Sequence, residues 1–414
     1  MRISAFARIF LLLPTLASPV LLRAQFQEPT AEELKMTADP KAPGAAAVYL
    51  DIEETANDAL HFKTVYARIK VLTEKGKELA TVEIPYWKSE YKVASIRART
   101  IHADGTVIPL NGTPDDLLRF KEKTNFGDMQ ASTKVFTLSN VEVGSILEYY
   151  YQLRYDENTV SSPIWEIQQP YFVHKAHYAF TPFKGFLRGA ANETDRHVLD
   201  EHGDYVNTLV WWPILPAGAE VKTDAIGRYT VDVSDIPPMP EEEWMPPVQN
   251  FRYKVLFYYK RDSNVDLYWA DEIKRWSKDV DHFAEATSAI RDAVSGLIAP
   301  ADSELDKAKK LYQAVQALDN TDYSRKKSET ELKQLKLKEA RRAEDIWKQK
   351  SGDSEEIALL YLAMLRAAGL TANAMKVVDR ERGIFDITYL RTSQLDSTIV
   401  VLKTGGKEIT LDPG

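Results

Sequence analysis

The chain has 414 residues, no cysteine and a formal charge of −8. That length accommodates two or three domains, and the missing thiols exclude thiolate catalysis, iron–sulfur clusters, cysteine-ligated zinc and disulfide bonds. The acidic balance argues against a nucleic-acid or anionic-membrane surface, so stability has to come from a large apolar core.

Arg2 and Arg8 precede the apolar run Ile9–Leu22, and Ala24 offers a small residue ahead of Gln25. This is the pattern of a secretory signal peptide over residues 1–24, too short and too proline-broken for a membrane span. Its removal near Ala24 takes away Arg2, Arg8 and Arg23 and moves the charge from −8 to −11. An exported protein is expected, periplasmic or secreted, with no transmembrane segment in the mature chain. Residue 25 is not cysteine, so no bacterial lipid anchor is indicated. Residues 25–47 are rich in Pro, Ala and Glu and read as a linker with one short helix around Thr30–Met36.

From Val48 the pattern changes to period two, and residues 48–262 read as a β-sandwich-like domain. Phe62–Leu72 alternates as a half-buried strand, followed by a turn at Glu74–Lys77 and strands over Leu79–Trp87 and Tyr91–His102. Ala103-Asp104-Gly105 marks a hairpin, then a strand over Thr106–Leu110 and a turn at Asn111-Gly112. Further strands are expected at Val135–Leu138, Ser145–Tyr155, Ile164–Phe183, Leu209–Ile214, Arg228–Val233 and Tyr253–Lys260. Five prolines between Pro237 and Pro247, with Glu241–Glu243 among them, mark an irregular crossing.

Beyond residue 262 the period becomes helical. Residues 263–299 form a helical connector, with helices over Leu267–Val280 and Phe283–Ile298. Residues 300–414 open with a helix over Glu304–Leu318. Arg325–Lys350 is charged and net basic, a loop leading to an exposed helix with i,i+4 ion pairs near Trp347. Then comes Gly352-Asp353-Ser354-Glu355-Glu356 and an apolar run to Gly369. Ile357, Leu360, Tyr361, Met364, Leu365 and Ala368 share one helical face, Asp353 and Glu356 are placed for a capping box, and Gly369 for a left-handed stop. Strands follow at Ala372–Val378, Thr398–Leu402 and Glu408–Leu411, the last two joined by Thr404-Gly405-Gly406.

This order of helix, Gly-Asp-nucleophile, long helix, strand, hairpin and Leu-Asp-Pro resembles the transglutaminase-like domain of the papain-like superfamily. Gly352-Asp353-Ser354 and Arg366-Ala-Ala-Gly369 carry the likeness, together with Asp396-Ser397-Thr398-Ile399-Val400 and Leu411-Asp412-Pro413. The β-rich region resembles the domain of unknown function that precedes such domains in exported bacterial proteins. Its phrases are Phe136-Thr-Leu138, Val143–Tyr149, Ile236–Glu241 and Trp244–Pro247. The fold class expected is therefore multidomain, β then α+β: an N-terminal β-sandwich-like domain, a helical segment and a transglutaminase-like α+β domain incomplete at its C-terminus. The resemblance implies acyl transfer by a cysteine, a histidine and an aspartate. Here those positions hold Ser354, Ser397 and Asp412.

Two of the three have lost their chemistry. A helix N-terminus stabilises an anion by at most ~2 kcal/mol, about one and a half pKa units, which cannot ionise an alcohol. Ser397 cannot serve as a general base, and all seven histidines lie at or before His282. No catalytic residue is expected, with Ser354, Ser397 and Asp412 as degenerate triad positions. His174 and His177, three apart on a strand, face opposite ways and suit no shared metal. Glu241–Glu243 reads as a solvated charge run, and Lys333–Lys350 as an exposed helix. Tyr149-Tyr150-Tyr151 and Trp211-Trp212 alternate faces, so one member of each set is open to exposure and to stacking on a ligand, with core and sheet-surface packing as the expected role. No phosphate loop, dinucleotide fingerprint or Gly-x-Ser-x-Gly elbow is present, so neither cofactor nor metal is expected. The leading expectation is a non-catalytic protein binding or scaffolding at the cell envelope, its partner an envelope protein, a peptide or a polysaccharide and not a nucleic acid. One alternative is an amide hydrolase or acyl-transferase using Ser354 with a base from outside the triad. Another is cell-wall polysaccharide or peptide binding through the β-domain aromatics.

Overall fold

The computed structural model describes residues 26–124, 127–156, 159–183, 208–240, 242–260, 264–324, 331, 334 and 340–414. The expected signal peptide lies outside the described residues. A short helix, α1 (Ala31–Lys35), precedes strands β1 (Ala47–Asn57), β2 (Phe62–Val71), β3 (Thr81–Trp87), β4 (Tyr91–Ile101) and β5 (Val107–Pro109). They continue as β6 (Asp115–Thr124), β7 (Gly127–Thr137), β8 (Ile146–Tyr155), β9 (Ile164–Glu166) and β10 (Phe172–Thr181). The β-rich part closes with β11 (Thr208–Ile214), β12 (Lys222–Thr223), β13 (Tyr229–Ile236) and β14 (Lys254–Lys260).

One sheet of eight strands, in the order β12-β13-β10-β1-β2-β8-β4-β5, forms a layer. Two three-stranded sheets, β3-β7-β6 and β11-β14-β9, lie against its inner face. Ala67, Ile69 and Val71 from β2 share a core with Ile84 of β3 and with Trp165 and Phe257 of β9 and β14. Period two decides the faces: Tyr149 and Tyr151 of β8 turn inward against that core, and Glu148 and Tyr150, in the alternate positions, turn outward.

The outer face is polar and nonetheless covered. Residues 26–46 dock on it, with Met36, Ala42 and Ala45 packed on Val48, Leu50, Leu72 and Phe172. Glu148, fully buried, accepts from Tyr66 (2.6 Å), Arg68 (2.7 Å) and Arg99 (2.6 Å). Both arginines also donate to the Gln27 carbonyl. Buried charges of this kind persist only when paired and hydrogen-bonded.

Among the differences between these elements and the sequence expectation, three stand out. The segment expected as one strand, Ile164–Phe183, is split into β9 and β10 around Pro170, which has no N–H for a ladder. The turn expected at Glu74–Lys77 is a 3-10 run from Glu74 to Ala80. β6 was not expected: Asp115–Thr124 is charged and lacks apolar alternation, and pairing with β7 forms the strand.

The second part contains α2 (Val265–Phe283), α3 (Ser288–Leu297) and α4 (Glu304–Gln316), then β15 (Asp319–Asn320), α5 (Ala343–Gln349) and β16 (Ser351–Gly352). It ends with α6 (Ser354–Ala367), β17 (Thr371–Val377), β18 (Ser397–Thr404) and β19 (Lys407–Leu411). The last three strands form an antiparallel sheet against which α6 packs. The loop between β17 and β18 reaches back to the β-rich part. The Tyr389 ring lies 5.7 Å from that of Trp212 and 5.6 Å from that of Tyr258, and Trp269 donates to the Ile387 carbonyl at 2.8 Å.

Lys70 supplies a pH test of this packing. Its side chain is fully buried under the docked segment and donates to the carbonyls of Leu34 (3.0 Å) and Gly144 (2.6 Å). Burial lowers its pKa from 10.5 to about 8, so above pH 8 the unfolded chain binds a proton that the folded chain has released. Stability contributed at this residue therefore rises with pH. Between about pH 8 and about pH 9.5 the wild type should gain roughly 1.5 kcal/mol relative to Lys70→Met. Urea midpoints across that window measure it, and parallel curves for the two proteins would contradict it.

Candidate functional site

The helix α6 is organised by its ends and by burial on every side. At its start the Asp353 carboxylate accepts from the Glu356 amide (2.8 Å) while Glu356 accepts from the Asp353 amide (2.9 Å), completing the capping box. At its end Gly369 adopts φ +77°. Its amide donates to Arg366 and that of Leu370 to Leu365, both at 3.0 Å, so the last carbonyls are satisfied. Between them the residues from Ile357 to Leu365 are all buried. The sequence pattern picks out one apolar face, but Ala358, Leu359, Leu362 and Ala363 make the helix apolar all round, which is the signature of a core helix. Helices α3, α4 and α5 and strands β17 and β18 surround it. Gly352 is fixed by close approach: a Cβ there would meet Ile346 and Glu356 at 3.1 Å.

Ser354 is the first residue of α6. The short parallel pairing of β15 with β16, Asp319 beside Ser351 and Asn320 beside Gly352, brings Asn320 to the helix start. The Asn320 carboxamide donates to Ser354 Oγ at 3.1 Å and to the Gly414 carbonyl at 2.6 Å. Ser354 Oγ in turn donates to the Gly414 carbonyl at 3.4 Å. The Ser354 amide, which points along the helix dipole, donates to Asp322 Oδ2 at 2.9 Å. A carboxylate thus occupies the donor at this helix start. Burial is the main cause that raises the Asp353 pKa above its ordinary value, with Asp322 and Glu355 adding repulsion.

The other two positions are not joined to Ser354 by a hydrogen bond. Ser397 Oγ donates to its neighbour Asp396 at 3.4 Å. On β18 the buried residues alternate as Thr398, Val400 and Leu402, and Val400 and Leu402 share the core with α6. Ser397 therefore sits on the opposite face. It is Thr398 that reaches the first turn of α6, donating to Glu355 at 3.1 Å, where Lys376 also binds at 2.8 Å. Asp412 offers its backbone carbonyl to the Tyr312 hydroxyl at 2.6 Å. Asn320 and Asp322, the groups that touch Ser354, were missed by the sequence reading. Both come from a loop more than thirty residues upstream, and the weak signal was the Asn-Thr-Asp phrase at 320–322.

The remaining candidates have separate partners. His174 binds Asp39 and His177 binds Asp232 at 2.7 Å, so the two imidazoles share no ligand. Among the described residues no group of three or more His, Asp or Glu side chains is placed to hold a metal. Glu242 and Glu243 are exposed, and Glu241 lies outside the described residues. Most of 333–339 also lies outside them; in the helix that follows, Lys348 pairs with Glu344 at 3.0 Å in the expected i,i+4 spacing. Trp211 is 38% exposed, while Trp212 is taken up by Tyr389. No described helix is long and apolar enough to cross a membrane.

A two-layered β-region followed by helices and a small sheet around a buried helix defines the architecture. The model of a domain of unknown function with a solved structure (DUF3857) matches residues 57–283, and that of the transglutaminase-like superfamily matches residues 291–388. The chain belongs to the DUF3857 family and carries a transglutaminase-like domain after it. The second match includes Ser354 and ends before Ser397 and Asp412. No curated protein matches the chain. Among solved structures it is similar to a "putative protease" from Parabacteroides distasonis, with 13% identity and a TM-score of 0.53 over 88% of this chain and 67% of that one. A "putative nutrient binding protein" from Legionella pneumophila aligns over 78% of this chain and 94% of that one at 9% identity, but its TM-score of 0.21 carries no structural likeness.

The cap at Asp353 can be tested directly. Asp353→Ala should destabilise the protein by about 1 kcal/mol, whereas Asp353→Asn, which caps as well and carries no charge, should retain most of that. Thermal unfolding separates the two, and equal losses would contradict the capping role.

Proposed function

We propose that this chain is an exported, non-catalytic transglutaminase-like protein that acts by binding or scaffolding at the cell envelope. The observation that carries this reading is the bonding of Ser354. Its hydroxyl accepts from the Asn320 carboxamide, which is not a base, and its amide is held by the Asp322 carboxylate. Acyl transfer needs the opposite: a base on the hydroxyl and free donors for the developing oxyanion. Export rests on the arginine-flanked apolar run Ile9–Leu22 with the small residue Ala24 behind it.

A second reading, an amide hydrolase or acyl-transferase built on Ser354, is favoured by the proximity of the Asp322 carboxylate and by the similar Parabacteroides structure, described as a "putative protease". One experiment separates the two. In the source organism, a Ser354→Ala, Asp412→Ala double variant should complement a deletion as fully as the wild type. A deletion-like phenotype from a folded, normally abundant double variant would favour the enzyme.

A further inference from the structure

The β-rich part encloses a cavity of about 550 Å³ that nothing at the helix start uses. Its floor is the inner face of the eight-stranded sheet, and β3 and β9, each at the edge of its own small sheet, contribute the walls. The volume lies within the range of small-molecule sites, about 300–1,000 Å³.

The register sets what the floor presents. Glu54 of β1 pairs with Val65 of β2, and Val65 with Tyr151 of β8, so a carboxylate and a phenol flank one valine. Tyr149 stands beside Tyr151, their rings nearly parallel at 11° and 6.5 Å apart. Side chains stand perpendicular to a sheet, so such rings offer the floor their hydroxyl tips rather than their faces. Among the described residues the hydroxyls of Tyr49, Tyr91, Tyr149 and Tyr151, all on the lining, make no hydrogen bond. Glu54 is only 8% exposed. Lys63 Nζ lies 2.7 Å from its Oε1 and balances the buried charge. At the rim Glu166 is balanced by Arg252 at 3.5 Å, and Trp87 is 41% exposed.

We propose that this cavity binds an uncharged, polyhydroxylated ligand of one or two sugar units. Phenols both donate and accept, which suits hydroxyl groups in several orientations. The carboxylates already have cationic partners, so a charged ligand would leave one group unbalanced. The exposed Trp87 ring offers the apolar face of a sugar a surface on which to stack. Burial holds the Tyr49 pKa up to about 12 and pushes Tyr149 and Tyr151 higher, keeping all three as donors at neutral pH. The inference stands whether or not Ser354 is catalytic.

The test is a titration of the purified chain, followed by tryptophan fluorescence and calorimetry. The probes are glucose, N-acetylglucosamine and their β-1,4-linked disaccharides, with hexylamine and triglycine as charged comparisons. At least one sugar should saturate the protein, and Trp87→Phe should remove the fluorescence response while calorimetry still reports binding. Tyr149→Phe and Tyr151→Phe, which keep the rings, should each weaken binding roughly tenfold with the unfolding midpoint preserved. Three results would overturn the proposal: no sugar binds, the phenylalanine variants bind as the wild type does, or hexylamine or triglycine binds where the sugars do not.

Discussion

The burial of α6 on all sides is the constraint on which the second half of the molecule depends. A helix whose residues from Ile357 to Leu365 are all inaccessible has no face left for solvent. Three helices must cover one side and two strands the other, and its terminal amides and carbonyls must be satisfied within the protein. The capping box, the close approach at Gly352 and the left-handed Gly369 all follow from that requirement. Each fully buried leucine, isoleucine or methionine contributes about 1.5–3 kcal/mol, so packing alone is a sufficient reason for the helix to persist without chemistry at its start.

That separation of packing from chemistry explains the site. The same helix start that would mount a nucleophile needs two partners from other elements, and both come by long-range register. Strand β18 presents Thr398 to the helix and turns Ser397 the other way. The β15 loop presents Asn320 and Asp322, and their bonds to Ser354 close the helix terminus as a structural cap. The first domain shows the same logic with opposite polarity. Its outer face carries Arg68, Arg99 and Glu148, made tolerable by mutual pairing and by the docked segment at 26–46. Its inner face presents phenols and the Glu54–Lys63 pair to a cavity.

Most elements were legible in the sequence because they are local. The period-two runs of β2, β8 and β14, the hairpins at Gly105 and Gly405, and both ends of α6 depend on neighbours a few residues away. What the sequence hid depends on distant contacts. β6 lacks apolar alternation and exists through its partner β7. Which of Trp211 and Trp212 is exposed is open in the sequence, and the loop at Tyr389, which covers Trp212, decides it. Asn320 has no motif of its own, and its position beside Ser354 comes from a two-residue parallel pairing. The inward tyrosines are ordinary strand residues in the sequence, and only the gap between two small sheets makes them a lining.

The central claim is that Ser354 serves structure rather than acyl transfer. Its most direct measurement is covalent labelling of the purified chain with a fluorophosphonate, read by peptide mass spectrometry. The account predicts no adduct at Ser354, because among the described residues no histidine, lysine or carboxylate side chain is hydrogen-bonded to its hydroxyl. Stoichiometric labelling at Ser354, abolished in the Ser354→Ala variant and dependent on a folded protein, would contradict it.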